Sequence, residues 1–77
     1  MDNLKNYLPV GESNAKSVSI VTVSSTVMMT GDAWLDTDTA TEVFLKGNTP
    51  LDQRRWTIAG DQIVAIADVP PPAPPSA

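Results

Sequence analysis

The sequence predicts an all-β protein, a small antiparallel barrel or sandwich of five or six short strands. Three observations carry this. Runs of β-branched and aromatic residues recur at close spacing between residues 17 and 69, separated by Gly, Pro, Asn and Asp. No apolar repeat of helical period persists after residue 16. Residues 54–59 (RRWTIA) and 62–68 (QIVAIAD) are two strand-like runs with only Gly60-Asp61 standing as a turn between them.

Three segments are expected: an N-terminal arm (1–16), a β domain (17–69) and a proline-rich tail (70–77). In the arm, Leu4, Tyr7 and Leu8 have the spacing of one amphipathic turn, which Pro9 would end. An extended arm docking the same three side chains on a neighbour and a disordered start are the alternatives. The run 17–30 (SVSIVTVSSTVMMT) places Val18 and Ile20 on one parity and Val21, Val23, Val27 and Met29 on the other. That change predicts a bulge at Ile20-Val21 or a strand covered on both faces. Thr30-Gly31-Asp32 reads as a turn, Ala33-Trp34-Leu35 as a short strand and 36–39 (DTDT) as a polar loop.

The next strand, 41–46, separates Val43 and Leu45 from Glu42, Phe44 and Lys46. Pro50 then requires a loop. A glycine-first, two-residue connection at Gly60-Asp61 suits a type II′ hairpin. Its register puts Ile58 opposite Ile63 and Trp56 opposite Ala65, with Thr57 opposite Val64 and Arg55 opposite Ile66 on the other face. Trp34 and Trp56 read as core residues, Trp56 with Ile58 and Ile63. Val64 and Ile66 are left on an outer face that needs a cover: the arm, a second sheet or another subunit.

Size bears on partners. A chain of 77 residues is at most one minimal domain, and about fifty of its residues lie between arm and tail. It contains no cysteine and no histidine, so neither a disulfide nor an ordinary zinc site can staple it. Association remains as the staple, and a homo-oligomer is expected. The formal charge of −4 disfavours nucleic acid, which is bound chiefly through Lys and Arg; Arg54-Arg55 is the one adjacent basic pair. No stretch reads as a signal peptide, and the apolar run 18–29 is too short and too rich in Ser and Thr to span a bilayer. The chain reads as soluble and made in a cytoplasm, with no membrane partner.

Catalytic and cofactor chemistry finds little purchase. Ser13, Ser17, Ser19, Ser24 and Ser25 lack a G-x-S-x-G context and any histidine base. Asp32, Asp36, Asp38 and Glu42 offer carboxylates, but fifty residues hardly enclose a substrate cleft. Asp36-Thr37-Asp38 begins like a calcium loop yet lacks the glycine and terminal glutamate, so a solvated loop is expected. The reading is a non-enzyme with no cofactor.

The tail favours polyproline II; residues 70–75 would extend ~19 Å. Pro71 with Pro74, and Pro72 with Pro75, form P-x-x-P spacings without a flanking arginine. Together with Pro70, these prolines join Leu4, Tyr7, Leu8, Val64 and Ile66 as candidate contact residues.

From Val43 onward the chain reads V-F-L-K-G-N-T-P-L, then R-R-W-T-I, then Q-I-V-A-I-A-D. In this order it resembles small β-barrel virion proteins of tailed bacteriophages, in which a V-x-L-G-type strand precedes a P-L loop and the last strand reads roughly L-Y-A-I-A. The Ser/Thr/Val-rich run at 17–27 lies where such modules begin, while the glycine-rich loop after their first motif is missing here. The resemblance implies a structural role, decorating or cementing a capsid on the virion surface with the major capsid protein or another virion component as partner. The alternative is an adaptor module whose tail engages an SH3-like or WW-like partner.

Overall fold

A computed structural model describes residues 3–24 and 28–69. Its five strands are β1 (Lys16–Thr22), β2 (Met29–Trp34), β3 (Glu42–Lys46), β4 (Arg55–Ala59) and β5 (Ile63–Asp68). They form one antiparallel sheet in the order β4-β3-β2-β1-β5. The all-β class holds. The expected barrel or sandwich is not formed: the strands make one open sheet, and among the described residues no ladder joins β4 to β5.

Alternation selects the core. Along β1, Val18, Ile20 and Thr22 face inward; β2 adds Ala33, β3 Val43 and Leu45, β4 Ile58 and β5 Ile63. Each fully buried aliphatic side chain contributes about 1.5–3 kcal/mol of transfer free energy. On the opposite face Trp34 and Phe44 pair across β2 and β3 with ring centroids 5.8 Å apart. Trp34 is buried, as expected, although on this second face.

The expected hairpin is not formed. β4 pairs with β3, matching Ile58 to Val43, and β5 pairs with β1, matching Ile66 to Ile20. Gly60–Gln62 is a 3-10 turn in place of a type II′ turn. The Gly60 N–H donates to the Thr41 carbonyl (2.8 Å), and the Gln62 carbonyl accepts from the Val23 N–H (2.9 Å). Topology shows why no hairpin is possible. Four antiparallel steps separate β4 from β5, so the two strands share a sense, which a hairpin forbids.

That short link also shapes the sheet. Laid flat, β4 and β5 would lie ~19 Å apart. The chain from Ala59 to Ile63 reaches at most ~14 Å. Four steps of twist at ~20–25° turn the edge strands ~80–100° relative to each other. The end of β4 then meets the start of β5 at a corner, and the sheet is strongly coiled without closing.

Other expectations change with this topology. Trp56 lies opposite Leu45 on the edge strand and is 43% exposed, so it is not a core residue. Arg55 stands opposite Lys46, not Ile66. A bulge does occur at the end of β1, but the extra residue is in the partner strand. Val21 pairs with Ala65 and Thr22 with Ile63, which leaves Val64 as the inserted residue of β5. Ile63 and Ile66, three positions apart, therefore both face the core. Gly31 is no turn residue but lies inside β2, opposite Val18. A Cβ there would collide with the Lys46 carbonyl, 3.0 Å from its carbon and 3.2 Å from Leu45 Cδ1. Only glycine lets β3 come so close.

The N-terminal segment is folded onto the sheet. Leu4–Asn6 forms a 3-10 turn extended by the Leu8 N–H to the Leu4 carbonyl (3.0 Å), and Leu4 and Leu8 enter the core. The chain next runs beside Leu35, whose N–H donates to Pro9 and whose carbonyl accepts from Gly11, both at 2.8 Å. A second turn, Glu12–Asn14, packs near β2, and Glu12 reaches Arg55 of β4 (3.1 Å). The arm thus ties β2 to the β4 edge.

Candidate functional site

The connections between β1 and β2 and between β3 and β4 meet at one end of the sheet, around a cleft of about 630 Å³. Its apolar lining includes Met28, Met29, Leu45, Trp56 and Ile58. The local sequence builds this wall from β4. Leu45, Trp56 and Ile58 point to the same side because cross-strand partners and alternate residues share a face. Ile58 is covered by Val43, whereas Trp56 sits where the sheet ends, so its indole becomes a wall of the cleft.

The loop between β3 and β4 holds this tryptophan in place. Thr49 and Asp52 form a turn with Asp52 N–H to the Thr49 carbonyl at 3.2 Å and to Thr49 Oγ1 at 3.0 Å. The Asp52 carboxylate accepts from Arg54 Nε (3.1 Å), Arg54 Nη2 (3.3 Å) and the Arg54 backbone N–H (3.3 Å). Those hydrogen bonds hold the Asp52 carboxyl below its ordinary pKa and raise that of Arg54. The oriented guanidinium lies 5.4 Å from the centre of the Trp56 ring, a cation–π contact. Gly47 admits the returning chain, since a Cβ there would stand 2.8 Å from the Asp52 carbonyl carbon.

Further apolar side chains are exposed on the loops at this end. Met28 is 57% exposed, Val23 62% and Leu51, at the loop tip, 99%. A chain of this size has little reason to leave four large apolar groups together in water unless something covers them. A second hollow, about 500 Å³, lies at the other end between the N-terminal turn and the corner. Its lining mixes apolar Leu4, Ala40 and Ala59 with Asp38, Glu42, Asp61 and Lys5.

The contact residues expected from the sequence fall into different places. Leu4 and Leu8 are core residues and are not available to a neighbour; Tyr7, between them, is 43% exposed. Val64 is exposed on β5, whereas Ile66 is half-buried against the core, so the two do not form one outer face. Pro70, Pro71, Pro72, Pro74 and Pro75 lie outside the described residues. The basic pair is split between two carboxylates, Arg54 to Asp52 and Arg55 to Glu12. Asp32 accepts from Ser17 Oγ (2.9 Å) and Asn48 Nδ2 (3.2 Å) on the outer face. Among the described residues no group of three or more His, Cys, Asp or Glu side chains is placed to hold a metal ion, and no helix is long and apolar enough to cross a membrane.

The Trp56 cleft itself was missed from sequence. Its signal is the R-x-W spacing of Arg54 and Trp56, which puts guanidinium and indole on one side of an extended chain. Compared with protein-family models, curated proteins and solved structures, the chain matches none.

Proposed function

We propose that this protein is a non-enzymatic virion structural protein that decorates or cements a phage capsid, docking by the loop end of its sheet. The observation that carries this reading is the cleft walled by the exposed Met28 and Trp56, with Arg54 stacked on the indole and Val23 and Leu51 exposed on the two loops that border it. Trp, Met and Arg are the residue types that concentrate in the buried centres of protein interfaces, and a rigid aromatic anchor is the usual energetic focus. The resemblance of residues 43–68 to small virion proteins supplies the kind of partner. Many copies on a symmetric shell gain avidity from a modest individual contact.

The test is composition. Purified virions should contain this chain at a copy number set by the capsid symmetry, and added protein should co-sediment with particles that lack it. Trp56→Ala and Leu51→Asp should remain folded and abolish co-sedimentation. Its absence from virions, or wild-type binding by both variants, would refute the reading.

A further inference from the structure

We propose that β5 is a strand-addition site whose occupant is the β5 of a second copy, paired antiparallel about Ile66. This stands independently of capsid docking, because it uses the opposite edge of the sheet from Trp56. An open sheet has two edges, and the two are treated differently here. The β4 edge is guarded by Arg54 and Arg55, the usual protection of a strand that must stay unpaired. Along β5, residues 63–67 are Ile-Val-Ala-Ile-Ala, with no charge, proline or glycine, and Val64, Ala65 and Ala67 are exposed.

Backbone direction decides the register. The Val69 N–H donates to the Ser17 carbonyl, and the Val23 N–H donates to the Gln62 carbonyl. Both bonds use odd-numbered residues, Ser17 in β1 and Val23 just past its end, so Ser19 and Val21 between them also face β5 and bond to their partners Ala67 and Ala65. The amide and carbonyl groups of Ile66 and Asp68 consequently point to the free edge. A two-fold axis at Ile66 lets each copy exchange both backbone bonds at that residue, an isologous contact that closes on itself. Ile66 is half-buried against the core in one copy, and this pairing continues the inner face from one sheet to the next.

Side chains agree with this register. Ala65 falls opposite Ala67 of the second copy, in the closer of the two pair types, where methyl groups fit. Asp68, the one charge on β5, falls opposite Val64, and four residues, about 13 Å, separate the two carboxylates. That exceeds the Debye length of about 8–10 Å. A parallel pairing in register would instead set Asp68 beside Asp68.

Sedimentation equilibrium of the full chain tests this with two double variants at exposed positions. Ala65→Lys with Ala67→Lys places like charges directly opposite at both symmetric pairs and should weaken dimerisation about tenfold. Ala65→Lys with Ala67→Glu places opposite charges there and should hold the dimer at least as tightly as wild type. It shares the lysine, so it controls for folding, which circular dichroism follows. Hydrogen exchange provides the backbone readout: the Ile66 amide should gain protection as concentration rises, while the Ala65 and Ala67 amides are protected throughout. A wild-type chain that stays monomeric at its highest soluble concentration overturns the proposal. So does a dimer indifferent to both charge patterns, or one in which Ile66 exchanges freely.

Discussion

Replacing Gly31 by alanine tests the fold at the point where the strand assignment and the turn assignment disagree most. If Thr30-Gly31-Asp32 were a surface turn, the added methyl would meet water and change little. In β2 it is driven onto the Lys46 carbonyl, 3.0 Å from its carbon, with Leu45 Cδ1 at 3.2 Å. The nearer obstacle is backbone, and the other is a side-chain methyl held by core packing. The carbonyl belongs to the β3 ladder, and Leu45 is 2% exposed, so β2 and β3 must separate locally. Overpacking of this kind costs about 1–3 kcal/mol. Native stability runs at about 0.05–0.15 kcal/mol per residue, so the loss is a substantial fraction of the total for so short a chain. In a domain of this size each kcal/mol moves Tm by about 4–8 °C. Thermal unfolding followed by far-UV circular dichroism should therefore show Gly31→Ala melting at least about 4 °C below wild type. A change of less than about 0.5 kcal/mol, the range of ordinary surface substitutions, would refute the close approach of β2 and β3.

Leu8→Ala should cost about 2–5 kcal/mol in urea unfolding, because this arm residue is 3% exposed within the core; an unchanged midpoint would return the arm to the status of a free extension. Trp56→Ala should move stability much less than Leu35→Ala, a fully buried site; equal losses would place the indole inside after all. The depressed Asp52 pKa has a definite sign. Its contribution is present above the unfolded carboxylate pKa of about 3.9 and is lost as pH falls through the lower folded value. Trp56 emission, sensitive to the Arg54 stack, should accordingly change with a midpoint below the ordinary carboxylate range, and Asp52→Asn should remove that transition. A midpoint at or above about 4 would contradict the Arg54 assignment.

Local pattern and global pairing contributed differently to what the sequence made legible. Period-two alternation located β3 and its two faces, of which the structure buries that of Val43 and Leu45; the β-rich run 17–30 contained β1 and the start of β2, and Pro50 marked a loop. The spacing of Leu4, Tyr7 and Leu8 offered the first turn as one of its readings, and the structure takes it. Partner choice was another matter. Gly60-Asp61 satisfies the local chemistry of a hairpin, yet pairing β4 with β3 and β5 with β1 gives each strand a longer-range ladder and brings Ile58 and Ile63 into one core. Nothing within residues 54–68 records that preference. Gly31 misled for a related reason, since glycine marks a turn and a close backbone approach with the same letter. The Trp56 cleft was hidden by the hairpin assumption itself, which paired Trp56 with Ala65 and so placed it in the interior.

The corner at Gly60–Gln62 links these outcomes to function. By sending β5 to the far side of β1 it denies β4 a second neighbour, and this exposes Trp56 at the cleft. The same step leaves the outward-facing amides of Ile66 and Asp68 at the other edge. A closed ladder would have consumed both features. The sheet therefore presents two separate surfaces, an aromatic anchor beside the loops and a strand edge whose one charge is Asp68 at its end. Their independence is measurable: Trp56→Ala should abolish particle binding without altering the dimer constant, whereas Ala65→Lys with Ala67→Lys should do the reverse. A single variant that removed both at unchanged stability would show that the two surfaces are one, and would overturn the assignment of capsid contact and self-association to opposite edges.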